Sequence, residues 1–484
     1  MEPAVSIALL PEVILALAGC ALLLVGGERR RTPAAPVAVL ALAAVMVAGV
    51  AVVVTGRPDA SPGPIAGGML VIDGLATFFR LLVLTVSALI LVMAVGPLGR
   101  GGGGGAELAA MVLFADLGAF LAASAAHFAS LFVGIELVTM AVIVLVACAP
   151  GGGRANDRAL KIFVPNAALS AVMLYGVSLV YGAVGSLELA AVRLHLEVLA
   201  HVNSMVVLGV VLIACGLFFK VAAVPFHLWL PAVVGDAPAR VSAFVAVVPT
   251  IAGLACLVRL SSGAFSPVTG QWWVVMWIAS AAAMIFGSVA ALVQDRVKWM
   301  LADLWIAHAG YALMGVAAGT DAGTRAVLVQ AAVAGLVFPG AFGMVALLES
   351  RERSEIRISD LSRFRSGGAP AVVGIVVFAG ALAGIPLTAG FVGRWFLWAA
   401  ALEAGLVWLV VLSLVATVVG FACCARVVVP VIVFDSRPED ASGAAMARDG
   451  WTVAAVTLCG LAIVVVGLWP VPLVEWAVGA IGRV

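Results

Sequence analysis

In a chain that is 64% hydrophobic and 11% charged, the few ionisable residues inside apolar runs are the ones placed to do chemistry. Glu136 stands within LFVGIELVTMAV, and Lys220 ends the run CGLFFK, five residues ahead of Pro225, with His227 just past that proline. Asp116 (VLFADLGAF), Asp303 and His308 (KWMLADLWIAHAGY) and Arg394 (GIPLTAGFVGRWFLW) are similar islands. A charge at the bilayer centre costs roughly 2.5–3.5 kcal/mol on insertion scales, so such groups commonly mark a path for ions or protons. The alternative for each is a structural ion pair, or a segment that ends a few residues earlier or later.

Residue type narrows the chemistry. The lysines are Lys161, Lys220 and Lys298, among 26 Lys and Arg in total. Arginine holds its proton in any protein setting, whereas a buried ammonium can release one. Lys220 therefore suits proton transfer, and Lys298, at the head of the run carrying Asp303 and His308, is counted in the same candidate path. Arg394 can only be a fixed charge or counter-ion. Pro225 and Pro386 each break a helix near a basic residue, at corresponding places of two halves, and Pro249 is a third expected break. Matched breaks of this kind point to inverted repeats with a polar site at the interruption. The freed carbonyls are expected to take water from a central channel. Aligning the halves by their breaks sets Lys220 against Arg394 and Glu136 against Asp303, which predicts an Asp303–Arg394 pair, either a relay in which Asp303 titrates or a static salt bridge tying two helices.

The elements that must position these residues are membrane helices. Soluble domains run nearer half apolar and a quarter charged, and the mean hydropathy of +1.22 places the chain in a bilayer. At roughly 20 apolar residues per crossing, the 484 residues hold about 14 segments. Net charge is +1, which gives no reason to expect nucleic acid or an acidic partner. Alternate loops, starting with the one after the first segment, hold most of the loop Lys and Arg, so both termini are expected outside the cytoplasm of a multi-pass plasma-membrane protein. No basic residue precedes the first apolar run, where Glu2 stands at the start and the arginines come after, so the first segment is expected to remain as a helix, with no signal peptide removed. The seven cysteines lie singly or as one adjacent pair in apolar segments, without ligand spacing, and read as small core residues. Gly101–Gly105 and Gly151–Gly153 lack a following Gly-Lys-Ser/Thr and read as flexible loops. The polar connector ESRERSEIRISDLSRFRSGG, residues 349–368, reads as a surface loop or a lateral amphipathic piece that a partner could contact.

Several stretches carry a resemblance. MLVIDGLATFFRLLVLTVSALILVMA, LFVGIELVTM, LKIFVPNAALSAVMLYGVSLVYGAVGSL, FFKVAAVPFHLWLPAVVGDAPARVSAFVAVVP, VKWMLADLWIAHAGYALMG and LAGIPLTAGFVGRWFLWAAALEAGLVWL together resemble the subunit N family of NADH-quinone oxidoreductase, complex I. More distantly the chain is similar to the cation/proton antiporter subunits sharing that fold. The likeness runs from about the first helix to the thirteenth, and VPFH-W-P and IAHAGY are its most specific motifs.

What the resemblance implies is an all-α integral membrane protein of 14 helices with two inverted five-helix repeats, the seventh and twelfth helices being broken. Its parts would be a three-helix region at 1–105, repeats at 106–262 and 270–430, and a loop with the last helix at 431–484. In such a family a glutamate of the fifth helix pairs with a lysine of the seventh, here Glu136 and Lys220. A lysine expected after the VP of the eighth helix is Thr250 here, the one expected in the twelfth is Arg394, and Asp116 and Asp303 stand where small neutral residues are usual. The implied function is proton translocation in the membrane arm of a complex I-type assembly. No cofactor is expected on this chain; NADH, flavin, iron–sulfur clusters and quinone would belong to partner subunits. Two rival readings are a cation/proton antiporter or hydrogenase-type membrane subunit, favoured by the extra carboxylates, and a non-pumping structural paralogue, favoured by Thr250 and Arg394.

Overall fold

A backbone crossing lipid must satisfy its own N–H and C=O groups, so these apolar runs fold as helices. The computed structural model describes residues 7–28, 34–56, 63–98, 105–150, 153–198, 203–349, 355–433 and 449–481. Eleven of its helices are each long and apolar enough to cross a membrane. Three more spans bring the number to fourteen: the first helix, and two spans that are each built from two shorter helices. In chain order the first four are Leu10–Glu28, Ala34–Thr55, Gly74–Leu98 and Gly105–Ala123. Phe128–Cys148 and Gly153–Val184 are the fifth and sixth, and the broken seventh joins Ser204–Lys220 to Trp229–Val234. Ala239–Arg259, Thr269–Val293, Val297–Ala318 and Asp321–Leu348 are the eighth to eleventh. The broken twelfth joins Ala369–Ala383 to Ala389–Glu403, and Val407–Val433 and Gly450–Leu468 follow. No strand occurs among the described residues, only isolated bridges.

Small residues set how the spans approach. A side chain on Gly118 or Gly134 would run into the backbone of the facing helix, so the fourth and fifth spans touch main chain to main chain. Gly287 and Gly310 bring the ninth and tenth spans together in the same way, at the corresponding place of the second half. Close approach through small residues replaces the hydrophobic drive that is missing between helices in lipid. The eighth, tenth and eleventh spans are almost wholly enclosed, while the second, sixth and fourteenth mostly face outward. The eighth packs against the fifth and seventh on one side and the tenth and eleventh on the other, so it is the wall between the two halves.

Two of the three expected breaks form. The seventh span is interrupted after Lys220 and resumes at Trp229, around Pro225, and the twelfth is interrupted between Ala383 and Ala389, around Pro386. Pro249 does not break its helix: Ala239–Arg259 runs through it. Close packing on every side holds this span, and the Thr250 hydroxyl bonds the Ala246 carbonyl one turn back. The polar connector ends in a 3₁₀ helix, Ile358–Gly367, lying against the twelfth and thirteenth spans with Ile356, Ile358 and Leu361 turned inward. Residues 350–354 of that connector, and the glycine runs at 101–104 and 151–152, lie outside the described residues. Two helices were not expected, and one of them, Leu189–Val198, lies between the sixth and seventh spans. After the fourteenth span a short helix, Val471–Ile481, folds back onto the third, with Trp476 stacked on Phe78 at 4.1 Å between ring centroids.

Candidate functional site

The first break ends the helix on Lys220 itself, which leaves its side chain at the rim of the interruption. Two carbonyls freed there find protein donors: Trp229 Nε1 donates to Phe219 O at 3.0 Å, and the Ala223 N–H to Phe218 O at 2.8 Å. The expectation that water would fill this role is therefore corrected for those two groups. Lys220 Nζ donates to Oε1 of Glu136 at 2.7 Å, Oδ1 of Asn166 at 2.6 Å and Oγ1 of Thr139 at 2.9 Å. An ammonium has three protons, and all three are engaged. Glu136 Oε1 also accepts from Ser170 Oγ at 2.6 Å, and Oε2 from Asn166 Nδ2 at 3.0 Å. The lysine side chain is 2% exposed and the glutamate 15%, so the pair is reached from the carboxylate side.

Glu136 and Thr139 come from the fifth span and Asn166 and Ser170 from the sixth, at spacings of three and four residues that put each couple on one helix face. Thr139, Asn166 and Ser170 escaped the sequence reading, which weighed charged groups alone. The signal was present in polar residues recurring a helical turn apart in VPNAALSAV and IELVT.

The second break is built differently. Arg394 Nη1 donates to Ala383 O at 2.6 Å and Nη2 to Leu382 O at 2.5 Å, so its guanidinium caps the carbonyls that the break exposes. Nη2 also lies 3.4 Å from His308 Nε2, and the group sits over the Tyr311 ring at 4.8 Å. The side-chain amide nitrogen of Gln330 lies 3.0 Å from His308 Nδ1, and the ring also bonds the Leu382 carbonyl. Asp303 takes no part: it is buried, and it makes no hydrogen bond among the described residues. The expected Asp303–Arg394 pair is therefore not formed. Carbonyls 11 and 12 residues away in the same broken span take the guanidinium instead, with His308 alongside.

The remaining candidates scatter. His227 packs edge-on to Phe286 at 4.1 Å, with both ring nitrogens buried and without a hydrogen-bond partner among the described residues. Lys298 Nζ donates to Glu349 Oε1 at 2.7 Å and Ala237 O at 2.6 Å, and Glu349 Oε2 accepts the Ala239 N–H at 2.9 Å. This cluster fastens the tenth and eleventh spans to the start of the eighth. Between the halves, Thr250 Oγ1 accepts from Trp305 Nε1 at 3.0 Å. Asp116 lies apart from Lys220, bonded by Ser87 Oγ of the third span at 2.6 Å.

A bundle of membrane helices with two broken spans, and an acid–base pair buried at one of the breaks, defines an antiporter-type membrane subunit. Residues 125–420 match the family model described as NADH:quinone oxidoreductase/Mrp antiporter, transmembrane, and the chain belongs to that family. The NADH-quinone oxidoreductase subunit N of Rhodospirillum rubrum is 34% identical over 430 residues, 89% of this chain and 88% of that protein. The subunit N of Paramagnetospirillum magneticum is 34% identical over 476 residues, 97% of this chain and 96% of that one. Among solved structures, a chain of respiratory complex I from Thermus thermophilus superimposes with a TM-score of 0.81 at 26% identity, covering 96% of this chain and 99% of that chain. A chain of the Mrp complex from Dietzia sp. gives 0.83 at 20% identity, covering 100% of this chain and 97% of that one, a likeness of fold.

Proposed function

We propose that this chain is a proton-translocating membrane-arm subunit of a complex I-type NADH:quinone oxidoreductase. The observation that carries this reading is the Lys220 ammonium, nearly dry and fully hydrogen-bonded, facing Glu136 at a helix break. While Glu136 is ionised and close, Lys220 keeps its proton. Withdrawing the carboxylate leaves an ammonium in a low-dielectric site, where the neutral amine is favoured and the proton departs. NADH, flavin, iron–sulfur clusters and quinone belong to partner subunits in this reading. The two repeats are taken as residues 106–262 and 270–430, with both termini outside the cytoplasm of the plasma membrane. A membrane-impermeant thiol reagent would then label Glu188→Cys in intact cells and spare Asp157→Cys. Lys220, Glu136 and the polar residues around them form the working half. A specific observation favours a static second half: Arg394 cannot release a proton and is bound to two carbonyls.

The test uses the assembled complex in proteoliposomes. Glu136→Gln and Lys220→Ala are each expected to abolish NADH-driven acidification of the vesicle lumen while the subunit stays in the complex. Wild-type acidification in either variant would overturn the reading. Stimulation by sodium in place of proton movement would favour the antiporter alternative.

A further inference from the structure

The three spans that precede the repeats hold a second set of buried polar groups. Glu12 of the first span pairs with Arg80 of the third, both inside the protein. Arg80 lies over the ring of Phe120 in the fourth span at 5.3 Å. One turn before Phe120 on that helix stands Asp116, and four residues after it, just past the helix end, stands Ser124. At the head of the third span, Asp73 takes two hydrogen bonds from Arg259, at 3.0 and 2.9 Å, and Arg259 Nε donates to Ala123 O at 2.8 Å.

Five side-chain atoms here are buried without a hydrogen-bond partner among the described residues: Glu12 Oε2, Arg80 Nε and Nη1, Asp116 Oδ2 and Ser124 Oγ. A buried polar atom left dry loses its hydration without a return. A string of such atoms is what recruits internal water.

The charges do not balance around Asp116. The first, second, third, fifth and eighth spans pack against its helix. The ionisable groups they bring are Glu12, Cys20 and Glu28, Asp73 and Arg80, Glu136 and Cys148, and Arg240, Cys256 and Arg259; the second span brings none, and the helix of Asp116 itself opens with Glu107. Arg80 is matched by Glu12, Arg259 by Asp73, Glu136 by Lys220 and Arg240 by Asp449, while Glu28 and Glu107 stand at helix ends. Asp116 is the surplus acid, 0% exposed, with one hydroxyl as its hydrogen-bond partner. An isolated carboxylate in such a place is far costlier than the neutral acid.

We propose that the first, third and fourth spans enclose a hydrated proton-binding site whose terminal acceptor is Asp116. Its mouth is at the Asp73–Arg259 pair, where Ser124 lies beside the Ala123 carbonyl. Ser87 is 14 residues along the third span from Asp73, about 21 Å into a hydrocarbon core of roughly 30 Å. Beyond Ser87 the third span presents buried Leu89, Ile90, Leu91 and Met93, so a proton enters and leaves by the same end. The site is a well, separate from the Glu136–Lys220 pair, and stands whether or not that pair pumps.

Infrared difference spectroscopy of the assembled complex across a pH jump tests it. The expected result is a carbonyl band of a protonated carboxylic acid that is lost in Asp116→Asn, shifted in Ser87→Ala and unchanged in Asp303→Asn. In deuterated water the band should shift promptly in the wild type and slowly in Ser124→Leu, which blocks the mouth. If Asp116→Asn does not assemble, the Ser87→Ala shift and the Ser124→Leu delay carry the test. A spectrum without such a band, a band that persists in Asp116→Asn, or exchange equally slow in wild type and Ser124→Leu would overturn the proposal.

Discussion

Lys220 differs from an ordinary buried cation because three neutral or acidic acceptors share its three protons. Asn166 is the member that touches both sides, accepting from Lys220 and donating to Glu136. It holds the two charges in register without adding charge of its own. Asn166→Leu should keep the ion pair but loosen its geometry, and one lysine proton would lose its partner, a loss of about 1–3 kcal/mol. The expected outcome is slower lumen acidification at unchanged subunit content in the complex, read from proteoliposome assays beside an immunoblot. Full acidification would mean that the amide is packing alone.

At the scale of the element, the two breaks answer one problem by different means. A broken helix exposes carbonyls that lipid cannot satisfy. The seventh span supplies the Trp229 indole to Phe219 O, which leaves Lys220 free for Glu136. The twelfth uses its own basic residue, Arg394, on Leu382 O and Ala383 O, which removes that charge from acid–base work. Trp229→Phe keeps the ring and deletes the donor. It should lower the thermal midpoint of the purified complex only by the net worth of one hydrogen bond, about 0.5–1.5 kcal/mol, because Phe219 O keeps the Ala222 N–H at 3.1 Å. An unchanged midpoint would show that water serves the carbonyl equally well.

For the whole molecule, the Lys298–Glu349 cluster joins parts that are far apart in the chain. Lys298 begins the tenth span, Glu349 follows the eleventh, and both hold the segment from Ala237 to Ala239 that leads into the eighth. The eighth span is the wall between the halves, so this cluster acts as a brace at one end of that wall. Breaking a buried pair costs about 3–5 kcal/mol, because the survivor is an unmatched charge. Lys298→Met is therefore expected to reduce assembly into the complex, measured on native gels. Lys298→Met with Glu349→Gln should recover part of it by removing both charges while the amide oxygen keeps the Ala239 N–H. A double variant as poorly assembled as the single one would argue against the brace.

Hydropathy, the breaks at Pro225 and Pro386, and the standing of Glu136 and Lys220 as costly charges were legible in the residues, while the pairing of those two charges was implied by the family resemblance. Transfer into lipid is scored residue by residue, and a charge inside a long apolar run is expensive wherever the helices later pack. Pro249 was misread because a missing N–H does not by itself end a helix that is held from every side. The partners of Arg394, Asp303 and Lys298 were not legible. They depend on how each helix is rotated and at what depth it meets its neighbours, which side-chain packing and close glycine contacts set. Aligning two halves by their breaks matches positions along the chain and says nothing of rotation. Asp303 and Arg394 thus corresponded to Glu136 and Lys220 in order without meeting in space, while Asn166, Ser170 and Ser87, unremarkable in the sequence, became partners of charge once the helices were packed.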